Sequence, residues 1–316
     1  MCMKKLYIAI CGMCVGALTA NADAELIKYG NMDQWMTRTI EESAIIGGNT
    51  VTLYEIAPKA AWTGNKAYTN QGGSPWATSN VYAKVKGISK TNQSVYRDSH
   101  PGHGYCAKLY THFVECKVLG LFNIRVLAAG SLFLGEMNEP ITGVDNAMRY
   151  LNCGMKISRA PKAVMFDYKI QVSGSKTRIK KGPGKQSTVS GRDMCNCYCF
   201  IQQRWEDAKG NIHAKRLGTM VMNWSSSTGW VHNAQFPIQY GDLTGTKKLT
   251  IQTKLNETER YTRNSKGKLV RIIEEGWGTA NDKPTHIILA FNSSHGGAFI
   301  GSEGNTMWVD NVKLVY

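Results

Sequence analysis

Three tryptophans lie outside any alternating apolar pattern and could form a carbohydrate-binding surface. Trp62, Trp76 and Trp277 are surrounded by glycine, threonine and asparagine in the segments "AAWTGNKAYTN", "GGSPWATSN" and "EEGWGTAND". An indole ring offers an apolar face to the C–H face of a sugar, while neighbouring amides and hydroxyls replace the hydration of the sugar hydroxyls. We therefore predict that these rings contact sugars. The alternative is that they close the ends of the core.

A single acidic residue, Asp310, interrupts the apolar closing segment "TMWVDNVKLVY". Carboxylate oxygens, together with loop carbonyls, are the ligands that calcium prefers. Asp310 is therefore a candidate ligand of a structural calcium ion, and no other cofactor is expected. The alternative is a carboxylate that accepts hydrogen bonds near the edge of a strand.

The residue types needed for catalysis are present, but they form no recognisable motif. His100 and His103 flank Pro-Gly in "DSHPGHG" and are predicted to lie in a solvated turn. A glycosidase would need two carboxylates about 5 Å or 6.5–9.5 Å apart, and a linear sequence does not give that spacing. We predict no catalytic residues; the acids that could supply such a pair are Asp98, Glu136, Glu139, Glu274, Glu275 and Asp310.

Cysteines are concentrated in the motif "CNCYC". Its three thiols, at i, i+2 and i+4, would share one face of a strand and could not readily bridge one another. We interpret them as buried free thiols that act as small apolar side chains. A disulfide from this trio to another cysteine is the alternative. The six cysteines after the first 22 residues are Cys106, Cys116, Cys153, Cys195, Cys197 and Cys199.

The first 22 residues have the composition of a secretory signal peptide. Lys4 and Lys5 precede an apolar stretch over 6–18, and small residues follow it up to Ala22. We predict removal of residues 1–22 and export to the periplasm, the cell surface or the medium. The remaining long apolar stretch, 118–134, contains an arginine that would be costly within a bilayer, so no transmembrane segment is expected in the mature chain.

The 316-residue chain is basic, with a net charge of +15. Lysine and arginine are concentrated in "SGSKTRIKKGPGKQSTVSGRD" and "RYTRNSKGKLVR", which lack the apolar content of a core. We predict exposed loops there, which are either simply solvated or form a surface for anionic partners such as acidic polysaccharides. Because export is predicted, a nucleic acid partner is not expected.

The rest of the chain has the pattern of short β-strands. In "KAVMFDYKIQV", apolar side chains alternate with polar ones, as in a half-buried strand. Glycine-rich connections and the lack of alternating helices favour an antiparallel sandwich. We predict one domain over 23–316, with Trp35, Trp205 and Trp308 in its core.

The closing segment is predicted to be a regular strand. Alternation places Met307, Val309 and Val315 on one face, and on the other face Trp308, Val312, Leu314 and Tyr316.

Several segments resemble the putative carbohydrate metabolism domain (PCMD), a family typical of exported proteins of Bacteroides-type gut bacteria. From about residue 28 to 316, in the expected order, the chain contains "NMDQW", "AWTG", "LAAGSLFLGEM", "SRAPKAVMFDYKI", "GWGTAND" and "FNSSHGGAFIGSEGNTMWVDNVKLVY". The resemblance implies a jelly-roll β-sandwich, similar to carbohydrate-binding modules and galactose-binding-like domains. It also implies a role in glycan capture or processing.

Together, these features predict an exported protein that binds oligo- or polysaccharides, including acidic ones, without evident catalysis. One alternative is a cell-surface adhesion module that binds protein or lipopolysaccharide. Another is a glycoside hydrolase or lyase. A glycan array would distinguish the first two functions, and release of reducing sugar would indicate the third.

Overall fold

The computed structural model describes residues 23–70, 73–118, 122–143, 146–279 and 281–316. The predicted signal peptide lies outside these ranges. Short 3-10 helices occur at Ala44–Ile46 and Ala147–Tyr150. Within the described ranges, no helix is long and apolar enough to cross a membrane.

Strands make up most of the described chain, which confirms the predicted all-β class. In chain order they are β1 (Ala24–Leu26), β2 (Trp35–Glu41), β3 (Thr50–Ile56), β4 (Ala61–Thr63), β5 (Trp76–Thr78), β6 (Val81–Val85), β7 (Ile88–Asn92), β8 (Val95–His100), β9 (Gly104–Tyr110), β10 (His112–Val118), β11 (Phe122–Ala128), β12 (Ser131–Met137), β13 (Leu151–Cys153), β14 (Met155–Lys156), β15 (Ala163–Gln171), β16 (Thr177–Lys180), β17 (Ser187–Ser190), β18 (Cys195–Glu206), β19 (Ile212–Trp224), β20 (Val231–Pro237), β21 (Gln239–Tyr240), β22 (Tyr261–Arg263), β23 (Leu269–Trp277), β24 (His286–Asn292), β25 (Ile300–Gly301) and β26 (Thr306–Val315).

The largest sheet closes on itself. Its pairings run β24–β18–β19–β23–β22–β13–β12 and then return to β24, so seven strands form a ring. Most neighbours are antiparallel, but β19–β23 and β13–β22 are parallel. A jelly roll specifically is not confirmed, because that fold is built from two antiparallel sheets that do not close.

Close backbone contact where β12 meets β13 requires a glycine. Gly135 has a φ of +146°, and a Cβ atom there would lie 2.1 Å from the carbonyl oxygen of Asn152. Only glycine tolerates both the torsion and the contact. The ring therefore depends on a residue without a side chain at this position.

A six-stranded sheet packs against one side of the ring. Its order is β20–β15–β26–β9–β8, with β1 on β26. The main core lies between this sheet and strands β18 and β24 of the ring, and it includes Val164, Phe166, Met307, Val309, Cys197, Leu289 and Phe291. A second apolar cluster fills the ring interior with Phe200, Ile212, Ala214, Ile272 and Ile288.

The interior of the ring also holds a buried ion pair. Arg216 donates from Nε to Glu274 at 2.5 Å and from its terminal nitrogen to the second carboxylate oxygen. Gln202 donates to the same carboxylate at 2.6 Å, and the guanidinium lies 3.8 Å from the ring centroid of Phe200. This two-point geometry links β18, β19 and β23 from the inside.

The "CNCYC" thiols are buried and free, as predicted. Cys195, Cys197 and Cys199 all point from β18 into the main core. Burial raises the pKa of each thiol above its ordinary value, so the thiols remain protonated and unreactive. The three other cysteines of the described chain are also free, so the alternative of a disulfide is wrong.

The closing strand differs from the regular alternation predicted for it. Asn311 has a φ of +52°, and the pairing of β26 with β15 shifts register next to it. The extra residue of this bulge reverses the order of the faces. As a result, Trp308 and Asp310 lie opposite the main core, which instead receives Met307, Val309, Val312 and Leu314.

The basic segments are not simple loops. The first forms the hairpin β16–β17, which is mostly exposed and pairs with β25. The second contributes β22 and the start of β23 to the ring. Main-chain pairing, rather than apolar content, gives these segments their strand structure.

Replacement of Cys197 by serine is expected to cost roughly 1–3 kcal/mol of unfolding free energy, because a hydroxyl would enter an apolar site without a partner. Chemical denaturation would measure the change. Cys116→Ser is the matched control, since Cys116 is only half-buried on β10, and it should cost less. Equal stability of the wild type and Cys197→Ser would contradict this account, and so would a loss of sugar binding in the folded variant.

Candidate functional site

Trp76 is not available to a sugar, contrary to the sequence prediction. Only 1% of its surface is exposed, and its indole N–H donates to the carbonyl of Lys28 at 2.9 Å. The ring packs in the main core, 6.5 Å from Phe291 between centroids. The alternative interpretation, a ring that closes the core, applies to this residue.

Trp62 is half-buried on β4, in the three-stranded sheet β3–β2–β4. Its ring is tilted against Tyr68 at 6.3 Å and packs on a small cluster with Met36 and Ala57. One side of the indole therefore has a structural role. Its contact with sugars stays a prediction.

Trp277 ends β23, on the wall of the ring, and is half-buried. The pairing of β19 with β23 shifts register at Glu275, so that Trp277 pairs with the inward-pointing Arg216 and its indole lies 5.9 Å from that guanidinium, on the inner side of the ring wall. Its contact with sugars stays a prediction. Ile273 pairs with His213 on the outward side and is 39% exposed. We call the outward residues of this region the barrel-wall surface: Trp205, His213, Lys215, Ile273 and Glu275.

Trp205 carries the exposed indole of this surface, at 42%. It pairs directly with His213 across β18 and β19, and the two rings are nearly parallel, with centroids 5.7 Å apart. The parallel pairing of β19 with β23 then places the exposed Ile273 on the other side of His213. The outward face of three adjacent strands therefore carries an indole, an imidazole and an isoleucine side by side.

The sequence prediction placed Trp205 in the core, and the structure shows that this was wrong. Odd-numbered residues of β18 point out of the ring, and at Cys199 and Ile201 they enter the main core. The six-stranded sheet no longer covers that face at Trp205, which is exposed. The signal that could have identified it is its position next to the polar turn "EDAKGN".

Charged side chains lie around the Trp205–His213 pair and form ion pairs with one another. His213 contacts Glu275 through Nδ1 at 2.5 Å and Asp207 through Nε2 at 3.3 Å. These hydrogen bonds, to Glu275 first and then to Asp207, raise the pKa of His213 above 6.5. Farther along, Lys215 contacts Asp282 at 3.2 Å.

Asp282 extends this polar rim beyond Trp277. It accepts hydrogen bonds from the backbone and the hydroxyl of Thr279, at 2.8 and 3.0 Å, and these lower its pKa together with Lys215. The rim therefore offers fixed carboxylates, an ammonium and an imidazole next to the exposed indole of Trp205. Such a combination can stack on sugar rings and hydrogen-bond their hydroxyls.

The structure also contains a cavity of about 510 Å³. It is bounded by the inward face of β18 and β24 and by the hairpins β6–β7 and β10–β11. Its lining is mostly apolar, with residues such as Val81, Val126, Met137, Ile288 and Ala290. This lining suits a sugar less well than the barrel-wall surface does.

Asp310, the predicted calcium ligand, is fully buried on the face of β26 that points away from the main core. Its carboxylate accepts hydrogen bonds from Nδ1 of His100 and from the backbone N–H of Asn311, both at 2.7 Å. Burial raises its pKa to about 8. The atoms that contact the Asp310 carboxyl group are nitrogens of His100 and Asn311, whereas calcium prefers oxygen ligands.

The sequence predicted that His100 lies in a solvated turn, and this is wrong, because only 1% of its surface is exposed. Only His103 lies in an exposed turn. The tertiary packing of Trp230 over the imidazole, with centroids 3.7 Å apart, covers His100.

The six acids considered as a glycosidase pair are all engaged by other groups. Each accepts a hydrogen bond from a donor side chain, which favours a structural role: Asp98 from Trp308, Glu136 from Asn152, Glu139 from Arg38, Glu274 from Arg216, Glu275 from His213 and Asp310 from His100.

Comparison with known proteins gives a family and two similar structures. The family described as "Putative carbohydrate metabolism domain" matches residues 50–315. A putative glycoside hydrolase from Bacteroides thetaiotaomicron is similar over 84% of this chain and 75% of its own, with 18% identity and a TM-score of 0.46. A putative glycoside hydrolase from Bacteroides vulgatus is similar over 70% of this chain and 77% of its own, with 15% identity and a TM-score of 0.43. No curated protein matches the chain.

The imidazole of His213 is expected to titrate above 6.5, and Glu275→Gln should lower its pKa, because the first of its two acceptors loses its charge. Because the pKa of His213 is higher in the folded than in the unfolded state, protonation of the ring stabilises the fold. This contribution is fully present below about pH 6.5 and is lost as the pH rises through the folded-state pKa. NMR titration of the ring would measure the pKa. Glu257→Gln, at an exposed glutamate elsewhere, is the control. An unchanged His213 pKa in Glu275→Gln would refute the contact.

Proposed function

Because the chain belongs to the putative carbohydrate metabolism domain family, we propose that it is an exported protein that binds glycans on the barrel-wall surface. The observation that carries this proposal is the exposed indole of Trp205, which is stacked on His213 with the exposed Ile273 on the next strand. The ion-paired side chains around them supply hydrogen bonds. A surface that extends over three strands favours an oligo- or polysaccharide over a single sugar.

Packing alone does not explain this surface. A single exposed apolar side chain is ordinary on a soluble protein, but here an indole on β18 and Ile273 on β23 are exposed on either side of His213. Glu275, Lys215 and Asp282 already have partners, so their geometry is set before a ligand arrives. Preorganised groups lose less entropy when they bind.

The positive charge of the chain favours an acidic glycan. The net charge of +15 raises the local concentration of anionic ligands, and the effect weakens as salt screens it. Lys215, which is paired with Asp282, is the lysine of the barrel-wall surface. A glycan with carboxylate or sulfate groups should therefore bind more tightly at low ionic strength than its neutral counterpart.

Export is part of the same proposal and is supported by the sequence of residues 1–22. The free thiols are compatible with an oxidising compartment, because the three of "CNCYC" are buried with raised pKa values and have little thiolate to react. Detection of the mature N-terminus at Asp23 by mass spectrometry would test the cleavage.

The binding proposal is tested with Trp205→Ala on a glycan array, followed by titration of the best ligand. We expect this variant to bind roughly ten-fold or more weakly, equivalent to about 1.4 kcal/mol. Trp205→Ala should change stability by only about 0.5 kcal/mol, as is usual for exposed sites. Trp76→Ala, the core control, should lose roughly 3–5 kcal/mol of stability instead.

Trp62→Ala is the matched variant on the three-stranded sheet β3–β2–β4. If it abolishes binding while Trp205→Ala binds normally, the site lies on β4 and the barrel-wall assignment is wrong. If no glycan binds the wild type, glycan binding itself is wrong. Reducing-sugar release from a bound glycan would show hydrolysis in place of simple capture.

A further inference from the structure

Three histidines come together on the six-stranded sheet, on the face opposite the main core. His100 ends β8, His103 lies in the turn that follows, and His232 is near the start of β20. One ring nitrogen of each lies within 4.8 Å of those of the other two. Their ring centroids are 4.3, 4.9 and 5.2 Å apart. Histidines from three separate segments thus share one site.

His100 is held with one nitrogen free. Its Nδ1 lies 2.7 Å from a carboxylate oxygen of Asp310, and its ring stacks on Trp230. When Asp310 accepts the Nδ1 proton, the lone pair of the imidazole is on Nε2. That Nε2 is buried and has no hydrogen-bond partner. A buried polar atom without a partner is costly, so this nitrogen is suited to a ligand that can accept its lone pair.

A second carboxylate lies near His232. Nδ1 of His232 is 3.6 Å from Asp167, an ion-pair distance, and Asp167 itself accepts hydrogen bonds from the backbone of Asn233 and the side chain of Asn311. Metal-bound histidines commonly direct their other ring nitrogen at a carboxylate that fixes the tautomer and increases ligand basicity. His100 has such a carboxylate at hydrogen-bond distance, and His232 has one close enough to serve.

We infer that His100, His103 and His232 bind a divalent transition-metal ion, with zinc as the best-suited member of that class. Asp310 and Asp167 position the first and third of these ligands. Imidazole nitrogens suit zinc, whereas calcium takes oxygen ligands. Three protein ligands leave a fourth coordination position open, as in zinc sites that hold water or an exogenous ligand.

Direct binding by the carboxylates is the other possible arrangement, since His100, Asp167 and Asp310 also offer atoms within 4.8 Å of one another. It is less favourable, because Asp310 already accepts from His100 and from the backbone of Asn311. A metal on that side would break the contact that holds His100. The three-histidine arrangement keeps it.

Coordination also requires lone pairs that converge on one point. The three rings are nearly parallel, with interplanar angles of 21°, 2° and 23°. Since His103 and His232 are exposed, their side chains rotate towards Nε2 of the fixed His100 when the ion enters. This metal site stands independently of glycan binding, because its residues lie on the other sheet.

The test is titration of the untagged full chain with Zn²⁺ by calorimetry, and with Co²⁺ by absorption spectroscopy. We expect saturable, stoichiometric binding and a rise in melting temperature that a chelator reverses. The cobalt spectrum should show tetrahedral d–d bands without sulfur charge transfer, because the buried thiols do not take part. His103→Ala and His232→Ala change exposed residues and should remain folded, so loss of tight binding in each can be assigned to the missing ligand.

Two further variants sharpen the assignment. Asp167→Asn and Asp310→Asn should weaken Zn²⁺ binding roughly 10–100-fold, as expected for carboxylates that orient a ligand. His213→Ala, which changes a half-buried histidine on the barrel-wall surface, should bind as the wild type does. The inference fails if the wild type shows no saturable binding, if His103→Ala and His232→Ala bind unchanged, or if His213→Ala removes the site.

Discussion

Strand β24 is the element on which the rest of the fold depends, because it hydrogen-bonds on both edges and is apolar on both faces. One edge pairs with β18 and the other with β12 and β14, and these pairings close the ring. Ile287, Leu289 and Phe291 enter the main core, while Ile288 and Ala290 face the inside of the ring. A strand buried in this way can have only an apolar sequence, and "IILAF" is the result.

The same closure explains why the barrel wall has two different environments. Strand β18 runs next to β24, and its outward side chains are small thiols for as long as the six-stranded sheet covers them. Beyond that cover the same face continues into solvent, where Trp205 and its neighbours lie. One strand therefore serves the core at one end and the barrel-wall surface at the other, without any change in its alternation.

The histidine group depends on a different constraint, the bulge at Asn311. Its left-handed torsion allows Trp308 and Asp310 to face away from the main core while Val312 and Leu314 still enter it. Asp310 is thereby placed beneath His100, and the side chain of Asn311 bonds to Asp167. The bulge at Asn311 thus places Asp310 next to His100 and lets the side chain of Asn311 hold Asp167.

By itself, the sequence determined the all-β class, long strands such as β15, the buried state of the "CNCYC" thiols and the carbohydrate-related family. These properties depend on local alternation, turn residues and motif order, which neighbouring residues specify. Only the tertiary structure decided that the sheet closes, that Trp76 is buried and Trp205 exposed, and that His100 meets His232 and two aspartates. Each of these depends on contacts between residues far apart in the chain, and on where one sheet stops covering another. A period of two along a strand shows which residues share a face, but it does not show what lies opposite that face.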